Sequence, residues 1–302
     1  FGAGVTLSRS SALDEVVDVY MNDGVSSLNA ALLEDALCIE IDDNTEIDTP
    51  IGLYLEDEAQ DRPGSSQVRL LIRLGKNSSA SFIELHRSKG DSEHFANIVV
   101  EMQLQEGAIA HYAKLQERDE QHIQIGRLQV NLEKNSRLAH SAIDLGGRMV
   151  RNDVSVAIAS PGAHFDSTGL SLVEGRQHVD NHITADHIVG PATSRQNYRA
   201  IASGQSRYVF NGKAIVREGA DGTDAEQSNH NLLLSKQAEI DTKPELEIYA
   251  EDVKCAHGVT VGQLDDKALF YLQTRGLARD EAAQLLTRSF ANSILDEISV
   301  EA

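Results

Sequence analysis

The chain has 302 residues and carries 27 basic and 47 acidic side chains, a formal net charge of −20. This charge argues against nucleic acid and against an anionic membrane surface as partners, since both are bound through clustered Lys and Arg. No apolar run approaches the length of a membrane span, no signal peptide opens the chain, and two cysteines cannot form a disulfide framework, so a cytoplasmic protein is expected.

Residues 1–36 are predicted as an N-terminal flanking and capping segment. Within them, Ser26–Ala36 has Ser at a helix-cap position and apolar residues at helical spacing. Such a helix would cover the first rung of a repeat protein, whose ends need a cap. Because the chain opens on Phe rather than Met, the segment is expected to be truncated.

A turn pattern recurs along the middle of the chain: an aliphatic or small residue, two others, Gly or Asn, then usually a small residue. The Gly or Asn positions are 77, 107, 135, 162 and 204, which gives spacings of 30, 28, 27 and 42 residues. Gly or Asn at a fixed place in a turn predicts a left-handed backbone there.

Short alternating segments lie between these turns and are predicted as strands of about five residues. A two-strand rung of this size cannot bury its apolar face alone, so stacking on neighbouring rungs is expected. The prediction is a mainly β protein, with a flattened right-handed parallel β-helix over residues 37–263. A β-sandwich is the alternative, and the uneven spacing argues against the solenoid. The segments are 82–86, 98–102, 123–130 and 154–158.

After Leu264 the apolar period changes to that of a helix. Asp265 or Asp266 can cap a helix that runs to Arg275 and is closed by Gly276. A second helix with one apolar stripe is predicted from Arg279 to Ile298. Because two such helices cannot form a core, residues 264–302 are expected to pack on the solenoid or on another protein.

The stretch Asp252–Asp266 contains Cys255 and, two residues later, His257. In an extended segment both side chains point to one face, where they suit a borderline metal or an iron–sulfur cluster, and Lys254 is expected to lower the pKa of the thiol. The pair makes half of a tetrahedral site, so further ligands would come from elsewhere, another chain included. The alternative is a small core cysteine beside a stacking histidine. The alternation of residues along this stretch leaves open whether Cys255 and His257 face the interior of the fold or its outside.

A second cluster places three histidines and two aspartates within His178–His187. In a strand, His178, Asp180, His182 and Asp186 share one face and His187 lies on the other. A polar outer face is favoured over a metal site. Phosphate-binding GxxxxGK[ST] and nucleophile-elbow GxSxG motifs are both absent from the sequence.

A resemblance to a known family covers residues 198–298 almost continuously and residues 26–197 more diffusely. On the residues below, the chain resembles the SufB/SufD family of iron–sulfur cluster assembly proteins, and its Cys-x-His-Gly-x-Thr-Val-Gly stretch is similar to the SufD branch. The matching runs are Arg207–Lys213 (RYVFNGK), Thr223–Gln227 (TDAEQ), Asn231–Ser235 (NLLLS), Thr242–Ile248 (TKPELEI), Asp252–Gly262 (DVKCAHGVTVG) and Leu269–Gly276 (LFYLQTRG).

This resemblance implies a parallel β-helix with a C-terminal helical domain and a non-enzymatic role as a scaffold subunit. Proteins of the SufD branch work with SufB and with SufC, and SufC is the subunit that holds the ATPase activity. The chain itself is therefore expected to bind no nucleotide. SufC is expected to dock on the C-terminal helices. The candidate contact residues are Asp266, Phe270, Tyr271, Arg275 and Gly276.

The resemblance also implies a transient iron–sulfur cluster, shared with SufB at the interface between the two chains. His257 matches the histidine that the SufD branch supplies there, and Cys255 is its neighbour. An isolated chain is expected to form a homodimer through like strand edges. SufD-like chains usually carry a helical region before the β-helix, and only about 36 residues precede it here. The alternatives are a β-helix enzyme acting on carbohydrate and a purely architectural partner of SufB.

Overall fold

The computed structural model describes residues 4–10, 24–59 and 61–298, and within these ranges the chain forms 17 strands and three helices. Residues 1–3 and 11–23 of the predicted flanking segment, and residues 299–302 of the predicted helical domain, lie outside the described residues. The elements are β1 Val5–Ser10, α1 Gly24–Leu32, β2 Ala36–Ile41, β3 Ile51–Glu58, β4 Gly64–Leu74, β5 Ser79–Lys89, β6 His94–Leu104, β7 Ile109–Gln116, β8 His122–Leu132, β9 Arg137–Asp144, β10 Met149–Ile158, β11 His164–Val173, β12 His178–His187, β13 Thr193–Ala202, β14 Arg207–Val216, β15 Asp224–Leu233, β16 Glu239–Ile248, β17 Lys254–Gly262, α2 Asp266–Thr274 and α3 Arg279–Leu295.

The strands form two sheets that face each other. Sheet A contains β1 and the even-numbered strands β2 to β16, and sheet B contains the odd-numbered strands β3 to β17. Successive strands alternate between the sheets, and every described pair is parallel except the antiparallel pair β1–β2. The chain is therefore a β-solenoid of about eight turns, which confirms the predicted parallel β-helix and rules out the sandwich.

The turns between the strands adopt the left-handed backbone that the repeat predicted. The φ angle is +52° at Asn77, +72° at Gly107, +56° at Asn135, +76° at Gly162 and +70° at Gly204. Turns of one kind stack from rung to rung, and a Cβ atom at Gly162 would lie 2.2 Å from Asn135 Oδ1. The left-handed positions therefore also limit side-chain size.

The uneven spacing has a simple geometric cause. The first four of these positions follow strands of sheet A, whereas Gly204 follows β13 of sheet B. Its equivalent one rung earlier is Gly175, which also has a positive φ and lies 29 residues away (204 − 175). The 42-residue interval thus spans about one and a half rungs, and it does not argue against a solenoid.

The strands are longer than the five residues expected, and most have 8 to 11. The difference arises because polar residues interrupt the apolar inward series of a strand. In β10, the buried Asn152 lies between the inward Val150 and Val154. The apolar alternation visible in the sequence therefore covers only part of the strand.

The apolar core lies between the two sheets and is built from columns of side chains at equal register. Ile72, Met102, Val130 and Val156 occupy one such column on successive strands of sheet A, and each is at most 1% exposed. Since neighbouring strands lie about 4.8 Å apart, each side chain covers the one below it. Every internal rung is thus buried by the two rungs beside it.

The interior also contains ionisable side chains. On β5, Glu84 and His86 point inward, and His86 Nε2 lies 2.7 Å from Glu84 Oε1. The Tyr112 hydroxyl on β7 donates a hydrogen bond to the same carboxylate. Burial alone would raise the pKa of Glu84, but the charge and hydrogen bond of His86, helped by Tyr112, outweigh it and lower the pKa. Burial and the nearby carboxylate raise the pKa of Tyr112 well above its ordinary value.

A second buried group lies beside the first. Lys114 Nζ donates to Asp144 Oδ1 at 3.0 Å and to Asn152 Oδ1 at 2.6 Å. Asn152 Nδ2 in turn donates to Asp144 Oδ2 at 3.0 Å and to Asn181 Oδ1 at 2.7 Å. A cavity of about 30 Å³ remains among these side chains, and a space of that size can hold a water molecule. The buried charges are thus paired rather than isolated.

Helix α1 packs on the outer face of sheet A near the first rungs. The buried amide of Asn29 donates to the carbonyl oxygens of Val68 and Asn97, each at 3.0 Å. The predicted helix exists, but it begins at Gly24 and ends at Leu32. It cannot continue to Ala36 because that residue already pairs with Ser10 of β1.

The two C-terminal helices follow the predicted boundaries closely. Asp265 caps α2 by accepting from the Lys267 N–H at 2.9 Å, and Gly276 follows the helix with a φ of +98°. Helix α3 begins at Arg279 as predicted but ends at Leu295.

Within the described ranges, no helix combines the length and apolar character of a membrane span.

Helix α3 packs on the outer face of sheet B. The Arg199 guanidinium on β13 lies 5.1 Å from the centre of the Phe290 ring, and Asn197 Nδ2 donates to Glu297 Oε2 at 2.7 Å. Ala282 and Ile294 of the predicted stripe are buried. Of the two packing alternatives, contact with the solenoid therefore holds for α3.

Replacing Gly162 by Ala should destabilise the fold by about 1–3 kcal/mol, because Ala is strained at positive φ and its Cβ would meet Asn135. Urea denaturation provides the measurement. Gly52→Ala is the matched control: its Cβ would meet open space at an ordinary φ, so its effect should stay within about 0.5 kcal/mol. Equal effects of the two substitutions would contradict the stacked-turn account.

Acidification should destabilise the chain through two buried histidines. Burial lowers the pKa of His140 to about 3 and that of His187 to about 4, against an ordinary value of 6.5. Below pH 6.5 the unfolded chain binds protons that the folded chain does not, so stability present at neutral pH is lost as the pH falls. At pH 5 each histidine should lower the free energy of unfolding by about 2 kcal/mol.

Urea denaturation of His187→Gln at pH 7 and pH 5 tests this directly. The variant should lose less stability than the wild type on acidification, whereas His230→Gln, at an outward position, should keep the wild-type response. An unchanged pH response in His187→Gln would contradict the assignment.

Candidate functional site

The solenoid ends in an open rung formed by β16 and β17. These two are the last strands of their sheets, and β17 pairs with β15 on one side only. The rung exposes large apolar side chains, with Ile248 42%, Tyr249 63% and Val261 43% exposed. Among the described residues, neither strand has a partner on its outer edge. This end therefore combines free backbone hydrogen-bonding groups with apolar surface.

The strand register settles which way Cys255 and His257 point. Cys255 pairs with Ala225 and His257 with Gln227, and both partners are buried inside the solenoid. Paired residues of parallel strands point to the same face. Both candidate ligands therefore belong to the inward series, and they are accessible because no further rung covers them.

Lys254 does not have the expected effect on the thiol. It pairs with Asp224 in the outward series, so it lies on the face opposite Cys255. Burial raises the pKa of Cys255, and the charge of Asp224 adds to this effect. The expectation of a lowered pKa was wrong, because burial, the largest effect, raises it.

A column of polar side chains leads through the interior to His257. We call it the lumen column: His140, Ser167, Gln196, Gln227 and His257, at equal register on β9, β11, β13, β15 and β17. His140 Nδ1 lies 2.9 Å from Ser167 Oγ, and Gln196 Nε2 donates to the carbonyl oxygen of Lys213 at 3.1 Å. This column was not predicted from the sequence, where its signal is a polar residue that recurs at one register position.

The open rung offers one thiol and one imidazole on the same face. This donor set suits iron, and it supplies two of the four ligands of a tetrahedral site. Over the described ranges, no group of three or more His, Cys, Asp or Glu side chains could hold a metal ion. The chain by itself thus presents two possible donor side chains on one face of an edge strand.

The second candidate cluster, on β12, is used for ion pairs. Asp180 contacts Arg151 at 2.8 Å and His182 at 2.8 Å. Asp186 accepts two hydrogen bonds from Arg217, at 2.9 and 2.7 Å. His187 lies on the inner face as expected. The arrangement agrees with a polar outer face rather than with a metal site.

Helix α2 carries an exposed aromatic surface. Phe270 is 68% and Tyr271 57% exposed, whereas Leu269 is buried. The Arg275 guanidinium lies 5.2 Å from the centre of the Tyr271 ring and extends this surface. Asp266 is exposed at the start of the helix. The five candidate docking residues therefore lie on or directly after α2.

Comparison with known proteins places these features in a family. Residues 55–290 match the profile described as SUF system FeS cluster assembly, SufBD core domain. An iron–sulfur cluster assembly SufBD family protein of Synechocystis sp. is 32% identical over 92% of this chain and 63% of its own length. The iron–sulfur cluster assembly protein SufD of Escherichia coli is 30% identical over 80% of this chain and 57% of its own length.

A chloroplastic protein of Arabidopsis thaliana, ABCI7, is 30% identical over 90% of this chain and 58% of its own length. The chain thus spans about three fifths of the length of these curated relatives.

Proposed function

Because the chain belongs to the SufBD family of iron–sulfur cluster assembly proteins, we propose that it is a non-catalytic subunit of a SUF assembly complex. In this complex it pairs with SufB, docks the SufC ATPase, and helps to build and transfer iron–sulfur clusters. The observation that carries the proposal is the Cys255–His257 pair, which lies in the inward series of an uncovered edge strand.

The open rung is the surface that pairs with SufB. A strand edge with free N–H and C=O groups binds another strand by backbone hydrogen bonds, and the apolar residues around it would be buried at the same time. A second copy of this chain can use the same edge, which gives a homodimer when SufB is absent.

The cluster is the cargo of this interface rather than a resident cofactor. His257 contributes an imidazole and Cys255 a thiol, which loses its proton when iron binds. SufB supplies the remaining ligands from its own edge. Transient binding fits a half-site, since the cluster leaves when the two halves separate.

The α2 surface docks SufC. Exposed aromatic and Arg side chains are enriched at protein interfaces, and Phe270, Tyr271 and Arg275 form such a group. SufC binds and hydrolyses ATP, while the GxxxxGK[ST] motif is absent from the sequence of this chain. Movement of the helices on ATP binding would then be transmitted to the solenoid through the α3 contacts. The complex operates in the cytoplasm, where the two free cysteines stay reduced.

Substituting His257 by Ala should lower cluster content at least about tenfold, because the site loses one of its few ligands. The measurement is anaerobic cluster reconstitution on the chain co-purified with SufB and SufC, followed by absorption and Mössbauer spectroscopy. His230→Ala is the matched control, since His230 lies on β15 in the outward series. An unchanged cluster in an intact His257→Ala complex would leave the chain as an architectural partner of SufB.

The double substitution Phe270→Ala/Tyr271→Ala should weaken SufC binding by at least about tenfold, because buried aromatic contacts dominate such interfaces. Calorimetric titration with purified SufC measures the affinity. The exposed Tyr54 on β3 provides the control Tyr54→Ala, which should bind normally. Normal binding by the double variant would remove α2 as the docking surface.

A further inference from the structure

The chain passes from β16 into β17 through a corner formed by residues 249–253, and this corner decides which residues of β17 point inward. In β16 the even-numbered residues are inward, since Ile240 pairs with the buried Tyr208. In β17 the odd-numbered residues are inward, as the pairing of Cys255 with a buried residue of β15 shows. An uninterrupted alternation from β16 would point Cys255 outward. The corner therefore shifts the phase of the strand by one residue.

A side chain of the preceding rung holds this corner. Asp221, in the turn between β14 and β15, accepts hydrogen bonds at Oδ1 from the backbone N–H groups of Glu251 and Asp252, each at 3.2 Å. Two successive backbone N–H groups form a concave site that suits an anionic oxygen. The N–H group of Gly222 adds a third hydrogen bond, to the carbonyl oxygen of Asp252 at 2.7 Å. The corner is thus held by a carboxylate and by the backbone next to it.

The corner one rung earlier has no side chain at the position of this carboxylate. Gly190 is the equivalent of Asp221, by the same 31-residue offset that relates Thr193 to Asp224 (221 − 190 and 224 − 193). A Cβ atom at Gly190 would lie 2.1 Å from the carbonyl oxygen of Asp221, so a side chain there would clash with the next turn. An internal corner is enclosed between two neighbouring turns. Within the described ranges the last corner has one neighbouring turn, and Asp221 supplies an additional contact.

We propose that Asp221 is a positioning residue for Cys255 and His257: its carboxylate holds the corner before β17 and so keeps both side chains in the inward series. The inference rests on the proposed function, since it assigns to Asp221 the placement of those two candidate ligands. Strand β17 is paired along one edge, and no rung of the described chain covers its inward face. Terminal segments of this kind open locally at little cost. Loss of the corner contact would let the first half of β17, which carries both ligands, separate from β15.

The experiment measures hydrogen exchange of the whole 302-residue chain without metal, by mass spectrometry of peptides that cover β17. In Asp221→Ala the backbone amides of β17 should exchange roughly 3- to 10-fold faster, the effect of losing one net hydrogen bond. The Cys255 thiol should react faster with a neutral alkylating reagent by a similar factor. Cys38, which is buried on β2 near the other end of the solenoid, is the internal reference and should keep its wild-type rate.

Two further variants separate the hydrogen bonds from the charge. Glu218→Ala removes an exposed carboxylate from the same turn and should leave both rates unchanged. Asp221→Asn keeps an oxygen that can accept the two hydrogen bonds, so it should retain at least part of the protection. Wild-type rates in Asp221→Ala, or equal increases in Asp221→Ala and Glu218→Ala, would overturn the proposal.

Cluster reconstitution with SufB and SufC separates this inference from the proposed function. Asp221→Ala should reduce cluster content, and Asp221→Asn should restore it at least in part. Full cluster content in Asp221→Ala beside a loss in His257→Ala would overturn the positioning role while the ligand role of His257 stands. Full content in His257→Ala, beside faster exchange of β17 in Asp221→Ala, would reject the proposed function and leave Asp221 as the residue that holds the corner.

Discussion

The structure depends on one constraint: a rung of two strands can bury its inward side chains only against another rung. Parallel pairing in register turns this constraint into columns, so that each residue has as neighbours the residues at the same position one rung before and after it. The apolar column through Ile72 and the polar lumen column obey the same rule. The rule also makes the last rung chemically distinct, because its inward residues have neighbours on one side only.

The fold was largely predictable from turn chemistry, whereas the interior was not. Gly and Asn at left-handed positions have a local cause, so the sequence alone locates Asn77 or Gly162 in a turn. The inward direction of Glu84 and His86 has a tertiary cause, since the buried carboxylate is stabilised by partners such as Tyr112 on another strand. Local alternation favours Ile83 and Leu85 as the inward pair. The residues of β5 alone do not show that Glu84 and His86, rather than Ile83 and Leu85, point inward.

The candidate site shows the same division. That Cys255 and His257 lie on one face of β17 follows from strand geometry and was predicted. Which face this is could be decided only from the register of β17 with β15. The predicted effect of Lys254 on the pKa of Cys255 was wrong, because adjacent residues of a strand point to opposite faces. The lumen column was not predicted either, since residues 30 positions apart, such as Gln227 and His257, become neighbours only through the pairing of β15 with β17 (257 − 227).

The open rung has a thermodynamic consequence. In a solenoid each rung gains stability from two interfaces, and the terminal rung has one, so it is the segment from which unfolding begins at least cost. A partner strand that adds to β17 converts this terminal rung into an internal one. Assembly and the final step of folding then become a single event. Under the proposed function, the face that carries Cys255 and His257 would reach its full rigidity only inside a complete complex, and iron capture would be restricted to complexes that are ready to use it.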